Sequence, residues 1–295
     1  MELWVLFAII AASAQTVRFA VQKVLAGGDL SPAAATWARF LFSAPLVAVL
    51  ALSYALWTGL PAPDLTVAFW VYALTGGITQ ILATICTVTL FKLRAFAVGI
   101  TFKKTEVMLT ALAGLVILGD AVSVAGALAI VAGFGGVLML SDPPEGGSLI
   151  NRASGIGLAS GVFFALSAVS YRGATLEMAT GDPLLTGGLT LAVVTLWQTV
   201  ALGLWLAVFQ PGQIGRTLRA WRRTALVGLF SLIGSWGWFA AFSLANAAYV
   251  FAVGQVELIL SLMVGWLAFR ERVTLRELLG IAVLTASILG VAFWS

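Results

Sequence analysis

The chain repeats its polar and helix-breaking residues after a shift of about 151 positions. No gap is needed from one end of the sequence to the other, so the shared register indicates duplication of one structural module. In chain order, the matched pairs are Ser31 with Asp182, Trp70 with Trp221, Phe91 with Phe242, Glu106 with Glu257, Thr110 with Ser261, Gly114 with Gly265, and Asp120 with Glu271.

The composition predicts that the module folds inside a lipid bilayer. Hydrophobic residues make up 61% of the sequence and charged residues 9%, which leaves too little polar surface for a soluble globule. The charges fall mostly between apolar runs of about 20 residues or more, the length that a helix needs to cross about 30 Å of hydrocarbon. The alternating polarity of membrane β-strands is absent. The predicted fold class is therefore an all-α membrane protein.

Ten apolar runs predict ten transmembrane helices in two sets of five. The first five-helix repeat covers residues 1–141, a Pro- and Gly-rich linker covers 142–152, and the second repeat covers 153–295. Because five is odd, the second repeat enters the membrane from the opposite side, so the two repeats are inverted. The predicted helices cover residues 3–25, 32–58, 66–91, 95–118, 121–141, 153–176, 183–209, 222–243, 246–269 and 272–294.

Basic residues in the loops predict the orientation. Most lie on one side of the predicted bundle, whereas the loops of the other side carry almost only Asp and Glu. The positive-inside bias makes the basic side cytoplasmic and places both termini outside the cytoplasm. The basic pI of about 9.6 then fits an anionic lipid surface better than a nucleic acid. The basic side carries Lys92, Arg94, Arg152, Arg216, Arg219, Arg222, Arg223, Arg270, Arg272 and Arg276.

Several kinds of chemistry are excluded by residues that the sequence lacks. It has no histidine and one cysteine, Cys86, so Cys/His catalysis and His-based metal sites are ruled out. No Gly-rich loop of the type that cradles nucleotide phosphates is present. We therefore expect neither enzymatic activity nor a bound cofactor.

Charged residues in the fourth and ninth apolar runs are the first candidates for a binding site. An ionisable group at membrane depth costs about 2.5 to 3.5 kcal/mol to insert, so it needs a functional or structural reason to be there. Lys103 and Glu106 share a helix face, whereas Glu257 has no cation on its own helix. Lys103, Arg18 and Arg172 are candidate partners for Glu257. An ion-pair lattice that only holds the bundle together remains the alternative.

The two repeats differ where a substrate could bind. Lys103 and Lys104 of the first repeat correspond to Gly254 and Gln255 of the second. Packing symmetry does not demand this difference, so Lys103, Gln255 and Glu257 are predicted to contact an asymmetric solute that carries both a carboxylate and an amine.

Polar and aromatic residues within other runs complete the predicted substrate site. Gln80 and Thr84 share a face of the third run, although a threonine hydroxyl can also bond its own backbone. Gln15 and Ser167 lie within the first and sixth runs. Trp236 stands between two glycines of the eighth run, where it either lines a cavity or faces lipid or core. The predicted substrate-binding set is Gln15, Gln80, Thr84, Lys103, Glu106, Ser167, Trp236, Gln255 and Glu257.

Two pairs of repeat-related segments resemble the drug/metabolite transporter superfamily, specifically its ten-helix members built from two EamA-type repeats. Residues 118–123 (LGDAVS) and 269–274 (FRERVT) are similar to the acidic turn that closes the fourth and ninth helices. Residues 91–95 (FKLRA) and 242–246 (FSLAN) are similar to the passage from the third helix to the fourth and from the eighth to the ninth.

This resemblance implies a central cavity lined by helices one to four and six to nine, with helices five and ten bracing it. It also implies an exporter of small metabolites that works by alternating access, in character closest to exporters of aromatic and other neutral amino acids. The expected setting is a bacterial inner membrane, and the expected functional unit is a monomer. Efflux of amphipathic cations or drugs is the alternative, and a non-transporting membrane scaffold or enzyme is a more remote one.

Overall fold

The computed structural model describes residues 2–60, 63–93, 106–140, 152–269 and 275–294, and within these ranges it contains helices and no strands. In chain order the helices are α1 (Leu3–Gly27), α2 (Pro32–Thr58), α3 (Val67–Leu93), α4 (Glu106–Leu118), α5 (Val124–Leu140), α6 (Arg152–Glu177), α7 (Pro183–Phe209), α8 (Gln213–Arg219), α9 (Trp221–Leu244), α10 (Ala247–Val253), α11 (Val256–Phe269) and α12 (Leu275–Trp294).

The described helices identify a multi-pass membrane protein. Seven helical segments are long and apolar enough to cross a membrane. Six lie in α1, α2, α3, α6, α7 and α9, and the seventh, Ala247–Val264, includes α10 and most of α11. α4 and the Val124–Gly136 part of α5 are apolar but shorter. The total of ten transmembrane helices remains a prediction, as does the linker, of which 142–151 lie outside the described residues.

The helix boundaries repeat in the register seen in the sequence. α2 begins at Pro32 and α7 at Pro183, while α3 ends at Leu93 and α9 at Leu244. Both α2 and α7 follow a capping side chain with proline at the first helical position. Ser31 Oγ accepts from the Ala34 amide at 3.1 Å, and Asp182 Oδ1 accepts from the amides of the next helix's first turn. The matched cap and proline residues thus begin helices at equivalent positions of the register.

A tight turn joins α4 to α5, as Gly119 and Asp120 predict. Gly119 has φ of +70°, a left-handed conformation that glycine adopts without a steric penalty. The Asp120 amide donates back to the Gly114 carbonyl at 3.2 Å, a bond typical of a helix ended by glycine.

The ninth apolar run differs from the single helix that the sequence predicts over residues 246–269. It is broken at Gly254 and Gln255 into α10 and α11. Glycine has a low helix propensity, and here it also accommodates the Trp238 ring, which would lie 2.5 Å from a β-carbon at this position. The break places Glu257 in the first turn of α11.

The long helices pack in pairs that follow the repeat. α1 packs along α9 and α6 along α3, while α2 packs along α7 and α5 along α12. Small residues permit the close approach of α9 to α1, since a β-carbon at Gly237 would lie 2.9 Å from the Phe7 carbonyl oxygen. The polar interior of the bundle lies among α1, α2, α3, α6, α7 and α9, together with α11.

Candidate functional site

A small cavity of about 20 Å³ lies in the interior of the helical bundle. Its wall is largely aromatic, formed by Phe164, Tyr171, Trp238, Phe239, Phe242 and Phe251. Its polar lining residues are Gln15, Gln80, Ser167 and Ser235. A volume of this size holds about one water molecule, so a larger solute would need more space than this conformation offers.

One side of the cavity leads to a buried charged network centred on Gln15. The Gln15 amide nitrogen donates to Glu257 Oε2 at 3.2 Å, and its amide oxygen accepts from Arg18 at 3.0 Å. The Trp238 indole also donates to that oxygen at 3.3 Å. Arg18 is 1% exposed and Glu257 is fully buried. Gln15 therefore connects one guanidinium and one carboxylate to the cavity wall.

The other side carries a network of neutral groups. The Tyr171 hydroxyl donates to Gln80 Oε1 at 2.9 Å. Gln198 donates to the same oxygen at 3.1 Å and to the Gly77 carbonyl at 2.9 Å. These bonds join α3, α6 and α7 without an ionised group.

A second buried arginine links α2 to both halves of the repeat. Arg39 is 3% exposed and lies within α2. Its guanidinium donates to Thr84 Oγ1 at 3.2 Å and to Ser235 Oγ at 3.0 Å. Thr84 on α3 and Ser235 on α9 occupy equivalent positions of the 151-residue register. One cation therefore joins matched hydroxyls of the two halves beside the cavity.

The structure brings five of the predicted site residues to this region. Gln15, Gln80 and Ser167 line the cavity, Glu257 bonds Gln15, and Thr84 bonds Arg39. Arg18, a predicted partner of Glu257, lies in the same network. Arg172, the other partner within the described residues, instead forms an ion pair with Asp120 at 3.3 Å.

The remaining predicted residues lie elsewhere. Gln255 lines a separate cavity of about 10 Å³ that also includes Ser287. Glu106 is buried in the first turn of α4, where Thr110 donates to its backbone carbonyl at 2.6 Å. Lys103 lies outside the described residues.

Trp236 is not among the residues that line the central cavity. Its indole nitrogen donates to the Leu184 carbonyl at 2.8 Å, and its ring packs over Gly188 of α7. The cavity tryptophan is Trp238, two positions further along α9. Residues two positions apart on a helix point in nearly opposite directions, so the choice between Trp236 and Trp238 depends on which face of α9 is interior.

The predicted site omits Arg39, Gln198 and Trp238. A signal for the first two exists in the sequence, because each is a polar residue deep within a long apolar run, which is also how Gln15 stands out. Trp238 offers no such signal. In the part of the chain that the structure describes, no group of three His, Cys, Asp or Glu side chains could hold a metal ion.

Comparison with known proteins agrees with the membrane architecture. A crystal structure of another protein shares the fold with a TM-score of 0.71 at 15% sequence identity, over 99% of this chain and 96% of that chain. No curated protein sequence matches the chain. Residues 153–293 match the model of the EamA-like transporter family. The second half therefore resembles an EamA-like transporter domain, which supports placement in the drug/metabolite transporter superfamily and indicates a membrane transporter of small molecules.

Proposed function

We propose that this protein exports small zwitterionic metabolites, chiefly neutral amino acids with aromatic side chains, across a bacterial inner membrane. The observation that carries the proposal is the central cavity, where the Gln15 amide joins Arg18 and Glu257 beside an aromatic wall. A zwitterion needs a cation for its carboxylate and an anion for its ammonium group, and an aromatic side chain needs flat apolar surfaces.

The proposed mechanism is alternating access between two inverted five-helix halves, residues 1–141 and 153–295. The helix pairing supports a two-fold relation, because the α1–α9 pair becomes the α6–α3 pair when each helix is replaced by its counterpart. Arg39 binds matched hydroxyls of α3 and α9, so relative movement of the halves would strain or break one of these bonds. The closed cavity then corresponds to an occluded state, and separation of the halves opens it to one side.

Further parts of the proposal concern the setting. The arginine-rich segment Arg216–Arg223 faces the cytoplasm, and the termini lie on the opposite side of the membrane. The functional unit in this proposal is a monomer.

Efflux from proteoliposomes tests the transported class. We expect labelled tryptophan or phenylalanine to leave loaded vesicles faster than it leaves protein-free vesicles, and glutamate to leave no faster. An amphipathic cation, tetraphenylphosphonium, tests the alternative. Glu257 and the aromatic wall would attract such a cation, whereas the buried guanidinium groups of Arg18 and Arg39 would repel it. Flux of the cation without flux of either amino acid would overturn the proposal.

A further inference from the structure

Another pocket lies where the end of α1 meets α8 and the start of α9, away from the central cavity. Its volume is about 430 Å³, and it shares no lining residue with the central cavity. Arg216, Arg219 and Arg223 line one side, and Gly28 and Asp29 line the other. The transport proposal gives this pocket no role.

The three arginines converge because of their spacing. Arg216 and Arg219 lie three positions apart on α8, and Arg223 lies in the first turn of α9, directly after the break at Ala220. Arg216 donates to the Asp29 backbone carbonyl at 3.4 Å. The guanidinium groups of Arg219 and Arg223 have no hydrogen bond or ion pair to any residue in the described ranges. Three guanidinium groups thus face one pocket whose only lining carboxylate is that of Asp29.

This excess of positive charge favours an anion with several acceptor oxygens. Like charges around one pocket repel each other, and a bound anion relieves that repulsion. Guanidinium groups match the geometry of phosphate oxygens, to which they donate paired hydrogen bonds. A carboxylate offers two oxygens, whereas a phosphate offers enough acceptors for arginines that approach from separate positions.

The surroundings of the pocket belong to a membrane interface. Val24 lines it and is 52% exposed, so the pocket has an apolar margin as well as a charged side. Trp221, at the start of α9, is 56% exposed, and Arg222 lies over its ring at 5.7 Å. Exposed tryptophan beside arginine is typical of the boundary between hydrocarbon and head groups. The pocket is therefore placed to meet a charged group at the membrane surface.

We propose that the Arg216–Arg219–Arg223 pocket binds a phosphate group, presented by the head group of an anionic phospholipid or by a soluble phosphate monoester. The arginines supply the hydrogen bonds, and Gly28 leaves the opposite wall open to the ligand. Val24 offers the adjoining apolar surface that an acyl chain would cover.

Native mass spectrometry of the delipidated full chain in detergent tests the site. The probes are phosphatidylglycerol, phosphatidylcholine and glycerol 3-phosphate, each titrated separately. We expect phosphatidylglycerol to bind more tightly than phosphatidylcholine. The double substitution Arg219→Gln and Arg223→Gln should weaken that binding by about 30-fold, because each arginine beside an anionic head group contributes several-fold to affinity.

Two further variants separate a loss of the binding site from a general loss of folding. Arg222→Gln is the matched control, because Arg222 is exposed next to the pocket without lining it, and it should weaken binding far less than the double substitution. Asp29→Asn removes the only lining carboxylate and should tighten binding. Glycerol 3-phosphate binding with the same dependence on the arginines would support the site and identify its ligand as soluble. Equal affinity of the wild type and the double variant for every probe would overturn the proposal.

Discussion

The polar networks on the two sides of the central cavity are built from different chemistry. On the charged side, Gln15 connects Arg18 to Glu257. On the neutral side, Gln80 and Gln198 bond each other and the Tyr171 hydroxyl. Both networks reach the cavity wall and are buried except for the half-buried Gln80, yet only the first holds ionised groups. The charged side can therefore orient a charged group of a bound solute. The neutral side can position such a group only through hydrogen bonds.

The repeat register shows where this difference comes from. Gln15 corresponds to Leu166 of the second half, and Gln80 corresponds to Ser231. In contrast, Thr84 and Ser235 keep their hydroxyls and share one guanidinium. The duplicated positions preserve the contact between halves, whereas the positions that diverged produce the unlike walls of the cavity. The matched hydroxyls thus hold equivalent helices together, and the positions that differ give the cavity two unlike sides.

The largest effect is expected at Arg39, which lies between the two networks. Arg39→Met removes the donor shared by Thr84 and Ser235, so we expect tryptophan efflux to fall at least about 30-fold, since each lost buried bond costs about 1–3 kcal/mol. Arg39→Lys should restore only part of the flux, because an ammonium group does not reproduce the guanidinium fork. Vesicle efflux, normalised to the amount of inserted protein, measures both variants. Equal flux for Arg39→Met and the wild type would remove Arg39 from the transport cycle.

A smaller but selective loss is expected on the charged side. Glu257→Gln keeps the shape of the side chain and removes its charge, so tryptophan efflux should fall by about 10- to 30-fold, the range expected when a buried charged hydrogen bond is lost. Indole-3-propionate is tryptophan without the ammonium group. Its ability to compete with tryptophan for efflux should therefore change much less in this variant. Arg18→Gln combined with Glu257→Gln should be little worse than either single variant, because the two residues act through Gln15 as one unit. Additive losses would contradict this coupling.

The neutral side should respond more weakly. Gln198→Leu removes the amide that bonds Gly77 and Gln80, while the bond from Tyr171 to Gln80 remains. We expect a rise of about three- to tenfold in the tryptophan concentration at half-maximal flux, consistent with the loss of neutral hydrogen bonds. Its effect on tryptophan and on indole-3-propionate should be similar. If Gln198→Leu impaired tryptophan more than indole-3-propionate by as large a ratio as Glu257→Gln does, the two sides of the cavity would not differ in function.

The smallest effect is expected at the aromatic wall that both networks share. Trp238→Phe trims the ring that lines the cavity and removes its bond to Gln15, so the half-maximal tryptophan concentration should rise by about three- to fivefold, in the range of one aromatic contact. Trp236→Phe is the matched control on the same helix, since that ring packs on Gly188. A larger shift for Trp236→Phe than for Trp238→Phe would indicate that substrate follows a different path.

Much of the helical scaffold follows from local sequence signals. Ser31-Pro32 and Asp182-Pro183 begin α2 and α7 because the cap and the proline act within one turn. Gly119 ends α4 because a left-handed turn needs no β-carbon. The close approach of the Trp238 ring to Gly254 could not be predicted in the same way, since that ring belongs to a different helix.

Part of the candidate site was also open to prediction. Gln15, Gln80 and Glu257 stand out because a polar group in an apolar run needs a partner. Which partner each one finds depends on helices far away in the chain. Gln15 bonds Glu257 across 242 positions, and Arg39 bonds Ser235 across 196.

The sequence by itself determined that the chain is an apolar, helical membrane protein, because hydropathy and helix caps act over a few turns, and its 151-residue register predicts a duplicated module. Only the tertiary structure decided that Trp238 rather than Trp236 lines the central cavity, that Arg172 pairs with Asp120, and that Arg39 joins α3 to α9. The physical reason is the same in each case. A side chain's partner is set by the rotation and spacing of neighbouring helices, and helix packing fixes both only when the whole bundle assembles.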